Sequence, residues 1–407
     1  MSVPVPQPSA EIAAEAAPRP AVSRLIPPRV ARAYSIEDLR SLARKRLPRA
    51  VFDFFDGGSE DEGTLRDNLA AYSRVRLMPR VLVDVAKVDT RTVLLGAESS
   101  LPIAVAPTGA VGFGWRGGDV AIARAAAAFG IPYALSTSAT ASIERIANEA
   151  PGRLWFQAYI LNRRDFTLSL IDRARKSGYE ALMITVDLAV GGKRERDFRN
   201  DFSIPFKFTP KNVLDFASRP IWALDMLFRG VPALENLTGF APAAASAVSQ
   251  ASSVGRNYDP SFDWDRLAEI RDHWPRKLIV KGIVRPDDAR RAAALGVDAV
   301  VVSNHGGRQL DDGIATLDAL PDVVAAIGNN VSVLVDGGIR RGRDVVKALA
   351  LGARGVLIGR ATLYGACAAG EAGAHRALEI LREELVRTMQ LCGAPTVADI
   401  GPDLVTR

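Results

Sequence analysis

The feature that most restricts what this chain can fold into is a rhythm beginning at Leu101. Short, nearly continuous apolar runs recur: PIAVAP (102–107), PYALS (132–136), LWFQAYI (154–160), ALMITVD (181–187), KLIVKG (277–282), DAVVVSN (298–304), VSVLVDGG (331–338) and GVLIGR (355–360). Between most of them lie Ala/Leu-rich helical patterns, such as Asp119 to Phe129, Asp287 to Leu295 and Asp344 to Leu351. A strand without polar alternation is buried on both faces, which indicates a parallel sheet covered by helices. Eight such units predict an α/β fold of the closed (β/α)8 (TIM) barrel type. The fourth and fifth strand starts, Ala181 and Lys277, lie 96 residues apart. The excess, about 198–262, is expected to be an insertion on the face where strands end, serving as a lid or binding loop.

Ahead of the barrel, residues 1–33 are Ala/Pro-rich and are expected to form a flexible extension to a domain spanning 34–407. Ser35 is placed to cap a helical segment, with Asp38 in capping-box position. A second short helix around Val51 to Phe55 is expected to stop at Gly57–Gly58. The net charge of +6 comes without a Lys/Arg block interleaved with aromatics, so nucleic acid is not expected as a partner. Cys367 and Cys392 have neither metal nor disulfide spacing, which fits a reducing compartment and no metal site. No secretory leader and no uncharged apolar run of membrane-spanning length is evident, so a cytoplasmic location is expected.

In a barrel of this kind the loops after the strands build the active site. The strand ends deliver Pro107, Thr108 and Gly109; Ser136, Thr137 and Ser138; Gln157 and Tyr159; Thr185 and Asp187, followed by Arg194; Lys281; Ser303 to Arg308; Asp336 to Arg340; and Gly359–Arg360. Polar groups thus gather at one end of otherwise apolar strands. Asp336, Gly337, Gly338, Arg340 and Arg360 suit a phosphate, since Gly-rich turns present amides and the arginines supply charge. Thr108, Ser136, Gln157 and Thr185 are able to hydrogen-bond a planar heterocycle, and Lys281 to stabilise negative charge on it when reduced. Arg194 and Arg308 suit a carboxylate. His305, held between glycines, suits a base, with Asp187 stabilising its imidazolium.

The motif SNHGGRQLD, with APTG, LSTSAT, WFQAY, TVD, KGI, DGGIRRG and LIGRATLYG in order, resembles the FMN-dependent L-2-hydroxy acid oxidases and dehydrogenases, from about Tyr34 to the C-terminus. This family includes glycolate oxidase, L-lactate dehydrogenase and mandelate dehydrogenase. The resemblance implies FMN as cofactor and His305 as base, or proton acceptor during hydride transfer, partnered by Asp187. It implies Arg194 and Arg308 on the substrate carboxylate, Tyr159 on its hydroxyl or carboxylate, and Lys281 at the flavin N1/O2 edge. Ser136, Gln157, Thr185 and Ser303 would line the flavin, with Arg340, Gly359 and Arg360 on its phosphate. A homotetramer is likewise implied.

Phe54 is a departure, because the family usually carries Tyr there and a phenyl ring donates no hydrogen bond to the carboxylate. Gly109, Ser138 and Gly191 stand where short-chain oxidases resembling this chain carry bulkier residues, so a larger, aromatic substrate side chain is expected. Residues 206–240 mix Phe206, Phe208, Phe216, Trp222, Leu224, Met226, Leu227 and Phe228 with Lys207, Lys211, Arg219 and Arg229. In relatives resembling this chain the equivalent loop tethers the enzyme to the membrane, where a quinone accepts electrons. Peripheral attachment to the inner face of the cell membrane is therefore an expectation, against a lid packed over the flavin or a neighbouring subunit. The alternatives are a soluble oxidase producing hydrogen peroxide, a flavin-binding protein with altered substrate owing to Phe54, and a barrel resembling type 2 isopentenyl diphosphate isomerase. The Arg194, His305 and Arg308 set argues against a diphosphate substrate.

Overall fold

All eight predicted strands form, and together they close a barrel in the computed structural model, which describes residues 26–203, 209–240, 257–329 and 331–406. The strands are β1 (Ile103–Val105), β2 (Tyr133–Ser136), β3 (Leu154–Ala158), β4 (Ala181–Thr185), β5 (Lys277–Ile283), β6 (Ala299–Val302), β7 (Ser332–Val335) and β8 (Gly355–Ile358). Every neighbouring pair is parallel, and β8 returns to β1 through Val356↔Ile103 and its two successors. The double-sided burial read from the sequence has two destinations. Ala104, Trp155, Met183, Ile279, Val301, Leu334 and Leu357 point into the barrel and pack on one another. Alternate residues such as Ile103, Phe156, Leu182, Val280 and Val300 face the surrounding helices. Leu94, from the hairpin Thr92–Leu94 and Ala97–Ser99, packs with the interior cluster and occupies the space a Gly355 side chain would need.

Three helices cover the opposite face: α1 (Ile36–Arg46), α2 (Arg49–Asp56) and α3 (Gly63–Arg74). Ser35 caps α1 as expected, accepting from Asp38 N at 3.1 Å. The Asp38 carboxylate reaches one residue further back than a capping box requires, to Tyr34 N. α2 stops at Gly57, whose N–H bonds Asp53 O. The boundary expected at residue 34 moves toward the N-terminus, because Pro28–Ala31 is already helical and Val30 and Ala33 are buried in the core. The rest of the expected extension, residues 1–25, lies outside the described residues.

Within the insertion, α4 (Pro210–Ala217) and α5 (Pro220–Arg229) fold back onto α2 and the β1 loop. Phe216 and Trp222 are buried, and Trp222 Nε1 donates to Phe113 O at 2.7 Å. The acids Asp215, Asp225 and Glu235, which look like solvated charges in the sequence, serve as docking points. They accept from Arg49 N and Ala50 N, from Arg116, and from Ser142 N with Arg145. Phe206, Lys207 and Phe208 lie outside the described residues, as does 241–256. Val213, Leu214, Ile221, Leu224, Leu227 and Phe228 remain exposed on α4 and α5.

Candidate active site

The loop after β6 turns through three successive left-handed residues, His305 (φ 56°), Gly306 (φ 63°) and Gly307 (φ 73°). A non-glycine residue there carries strain, which persists only where its surroundings hold it. They do. Asn304 exchanges paired side-chain hydrogen bonds with Asn68 on α3, at 2.9 Å each. Gly307 passes so close to Leu65 that a side chain would overlap its backbone. Asp311 accepts from Gly63 N and Thr64 N, capping α3 from a distance of almost 250 residues along the chain. Asn304 and Asp311 are therefore braces within the motif, and His305 and Arg308 are the side chains it turns toward the cavity.

That cavity, about 430 Å³, lies at the strand ends. His305 Nδ1 is 2.8 Å from Asp187 Oδ1, and its Nε2 faces the Tyr159 hydroxyl at 3.4 Å. An Nδ1–H held by a carboxylate leaves Nε2 as the free base. Burial alone would push the Asp187 carboxyl up, but His305 and Lys281 bring it below the usual carboxylate range. Lys281 is also buried. It donates to Ser303 Oγ at 2.9 Å and lies 3.2 Å from Asp336, so that Asp336, then Asp187, hold its ammonium above the usual lysine value despite burial. Beneath runs a chain in which Ser136 Oγ donates to Gln157 Oε1 at 3.1 Å and Gln157 Nε2 donates to Thr185 Oγ1 at 2.9 Å. Ser136, Gln157 and Ser303 form this floor below the cavity lining; Thr185 and Lys281 reach the lining itself.

The two predicted carboxylate clamps meet at Phe54. The guanidinium carbons of Arg194 and Arg308 stand 5.5 and 5.4 Å from its ring centroid. Arg308 donates to Phe54 O and Gly57 O, at 2.8 Å each, and Arg194 to Asp197 at 2.8 Å. Burial pushes the Arg308 guanidinium down to about 9, and Arg194 and Arg360 push the same way. A buried cation crowded by like charges is a site that gains from an anion. Arg360 is more engaged than its sequence context suggests, donating to Phe55 O, Gly306 O and Gly57 O, while Arg340 lies over Tyr364. Arg360 thus ties the catalytic loop to α2 and lines the cavity as well.

The residues fit FMN on three counts. Thr108 Oγ1 is buried at the cavity and has no hydrogen-bond partner among the described residues. Gly337, Gly338 and Gly359 line the wall beside Arg340 and Arg360, where a phosphate finds backbone turns and charge. Lys281 is the cation available to a ring that gains negative charge. Pro107, Gly109, Ser138, Gly191 and Asp336 all line the same cavity.

Several lining residues escaped the sequence reading. Leu188, Phe202, Leu234 and Tyr258 enter from the β4 loop and the insertion, where no strand periodicity marks them. Asn68 and Asp56 escaped too, because their partners are far away in the chain.

The FMN-dependent dehydrogenase family model matches residues 43–407. (S)-Mandelate dehydrogenase of Pseudomonas putida is 43% identical over 370 residues, covering 91% of this chain and 93% of that one. L-lactate dehydrogenase of Caulobacter vibrioides is 42% identical over 374 residues, covering 91% and 97%. Among solved structures, monotopic membrane protein (S)-mandelate dehydrogenase superposes with a TM-score of 0.88 at 42% identity, covering 92% and 99%. The chain belongs to the FMN-dependent dehydrogenases that act on 2-hydroxy acids, as mandelate and lactate dehydrogenases do.

Proposed function

We propose that the chain oxidises an L-2-hydroxy acid with a bulky or aromatic side chain to the 2-oxo acid, and that the electrons leave to a quinone at a membrane surface. The reading is carried by the placement of His305 Nε2 opposite Arg194 and Arg308 in one cavity, with Asp187 behind the imidazole. When bound, FMN supplies the two-electron acceptor. Arg308 and Arg194 hold the carboxylate, so the hydroxyl-bearing carbon is presented toward His305. His305 takes a proton from the substrate at Nε2, and Asp187 holds the imidazolium that results. Tyr159 orients the substrate oxygen. Lys281, a buried cation in the lining, would stabilise negative charge that the bound cofactor takes up.

The preference for a bulky side chain is supported by Gly109, Ser138 and Gly191 in the lining, with Leu188, Phe202 and Leu234 making it apolar. Membrane attachment is supported by the exposed crest of Leu214, Ile221, Leu227 and Phe228, each more than 70% exposed. No helix among the described residues is long and apolar enough to span a bilayer, so attachment would be peripheral. A homotetramer is part of the same reading; exposed Val81, Leu82 and Leu391 offer it an apolar surface.

Anaerobic addition of (S)-mandelate, L-lactate and glycolate while following flavin absorbance tests the reaction. Bleaching is expected, fastest with mandelate. Turnover of glycolate well above that of mandelate would sink the side-chain assignment, and no bleaching by any acid would sink the reaction itself. Admitting oxygen to the bleached enzyme separates a dehydrogenase, which reoxidises slowly, from an oxidase that makes hydrogen peroxide.

A further inference from the structure

Where the insertion returns to the barrel it is pinned beside the site. Tyr258 forms an antiparallel bridge with Leu161, Asn162 N donates to Asn257 O at 2.8 Å, and Asp259 N donates to Ile160 O at 3.0 Å. Asp259 is in turn paired with Arg266. This short pairing begins immediately after Tyr159, and it sets the Tyr258 ring against the Tyr159 ring with centroids 5.2 Å apart. Tyr258 is therefore fixed as firmly as a strand residue, although it lies at the end of a long insertion.

Its ring lines the cavity together with Arg194, Gly191 and Leu188. Its charged neighbours are Arg194 and Asp187; burial, and next the Tyr159 phenol, keep it protonated and hence a donor. The hydroxyl forms no hydrogen bond among the described residues. A half-buried phenol that donates to no described protein atom is free to donate to water or to a ligand in the cavity. Arg194 also stands over Phe54, 5.5 Å from its ring centroid, and Phe54 has no hydroxyl to offer.

We propose that Tyr258 is a substrate-binding residue whose hydroxyl donates to the substrate carboxylate on its Arg194 side, supplying from the insertion the phenol that Phe54 lacks. This rests on the 2-hydroxy acid reading above. It also makes the insertion part of the carboxylate site.

The test compares wild type, Tyr258→Phe, Phe54→Tyr and the double variant as FMN-loaded enzyme. Binding of the 2-oxo acid benzoylformate is titrated by flavin absorbance, and steady-state kinetics are run with (S)-mandelate and L-lactate. Tyr258→Phe keeps the ring and its packing on Tyr159. It is expected to weaken benzoylformate binding and raise KM for both acids by about 10–100-fold, the size of one hydrogen bond to a charged group, with kcat within about twofold. Phe54→Tyr in the same background is expected to recover most of that loss. Unchanged benzoylformate affinity in Tyr258→Phe overturns the proposal. So does a KM loss confined to (S)-mandelate and absent with L-lactate, which would assign the phenol to the side chain, and so does a double variant no better than the single. If wild type is bleached by no 2-hydroxy acid, the reaction assignment fails, while the benzoylformate titration still reports whether Tyr258 holds a carboxylate.

Discussion

His305 Nδ1 and Asp187 Oδ1 meet at 2.8 Å across the gap between β6 and β4, and this contact decides which nitrogen of the imidazole faces the cavity. Asp187→Asn offers an amide in place of the charge and loses stabilisation of the imidazolium. The rate of anaerobic flavin reduction is expected to fall by roughly 10²–10⁴, with flavin content retained because Asp187 does not line the cavity. A fall of less than about threefold would remove Asp187 from the proton chemistry.

Phe54→Tyr places a hydroxyl between two guanidinium groups that now face a phenyl ring. A hydrogen bond to a bound carboxylate is expected to lower KM by up to about tenfold, equivalent to roughly 1.4 kcal/mol. A KM that rises shows instead that the ring position is occupied by substrate side chain. Competition with a 2-oxo acid measures the same contact without turnover.

Gly338 holds φ 86°, and a side chain there would overlap the backbone carbonyl of Asn68. Gly338→Ala is therefore expected to push α3 away from the β7 loop, costing roughly 2–3 kcal/mol. Thermal unfolding and flavin content report it together. A variant with wild-type Tm and full FMN would show that the two backbones do not need this approach.

Asp56 is buried on α2, 2.6 Å from Arg40 Nε and bonded by the Tyr364 hydroxyl. Burial opposes its charge, but the hydrogen bonds from Arg40 and Tyr364 hold the carboxyl well below the usual range. The folded pKa is thus depressed, so its contribution to stability is complete above the unfolded value near 4 and is lost as pH falls through the folded one. Asp56→Asn is expected to cost roughly 2–3 kcal/mol at pH 7, less than a fully buried pair because the Arg40 side chain is 31% exposed. The difference from wild type shrinks below about pH 4. A gap that stays constant down to pH 2 would contradict this.

Leu227→Asp with Phe228→Asp puts charge on the exposed crest of α5 while leaving buried Phe216 and Trp222 untouched. Sedimentation with anionic liposomes is expected to drop to background while flavin reduction is unchanged. Deleting the whole of 206–240 is a poorer experiment, because it uncovers the surface those two aromatics bury. Equal sedimentation of variant and wild type would leave the crest without a membrane role.

The sequence by itself determined the barrel and most of its chemistry. Two-sided burial writes unbroken apolar runs, and every polar residue at their ends must face one rim, so Lys281, Asp187 and His305 were legible from strand ends alone. What the tertiary structure decided is everything contributed by chain without a period. Asp311 reads as part of a catalytic motif, yet it caps a helix. Arg360 reads as a phosphate residue, and only the fold shows that it also spends three N–H groups on the carbonyls of α2 and the β6 loop. Asp215 and Glu235 look like solvated charge and turn out to dock the insertion. Tyr258 has no local signal, and only the bridge to Leu161 brings it to Arg194. The stretch SNHGGRQLD holds the proposed base and one arginine, while their surroundings depend on residues hundreds of positions away, which meet only when the barrel closes and sets the strand ends in one ring.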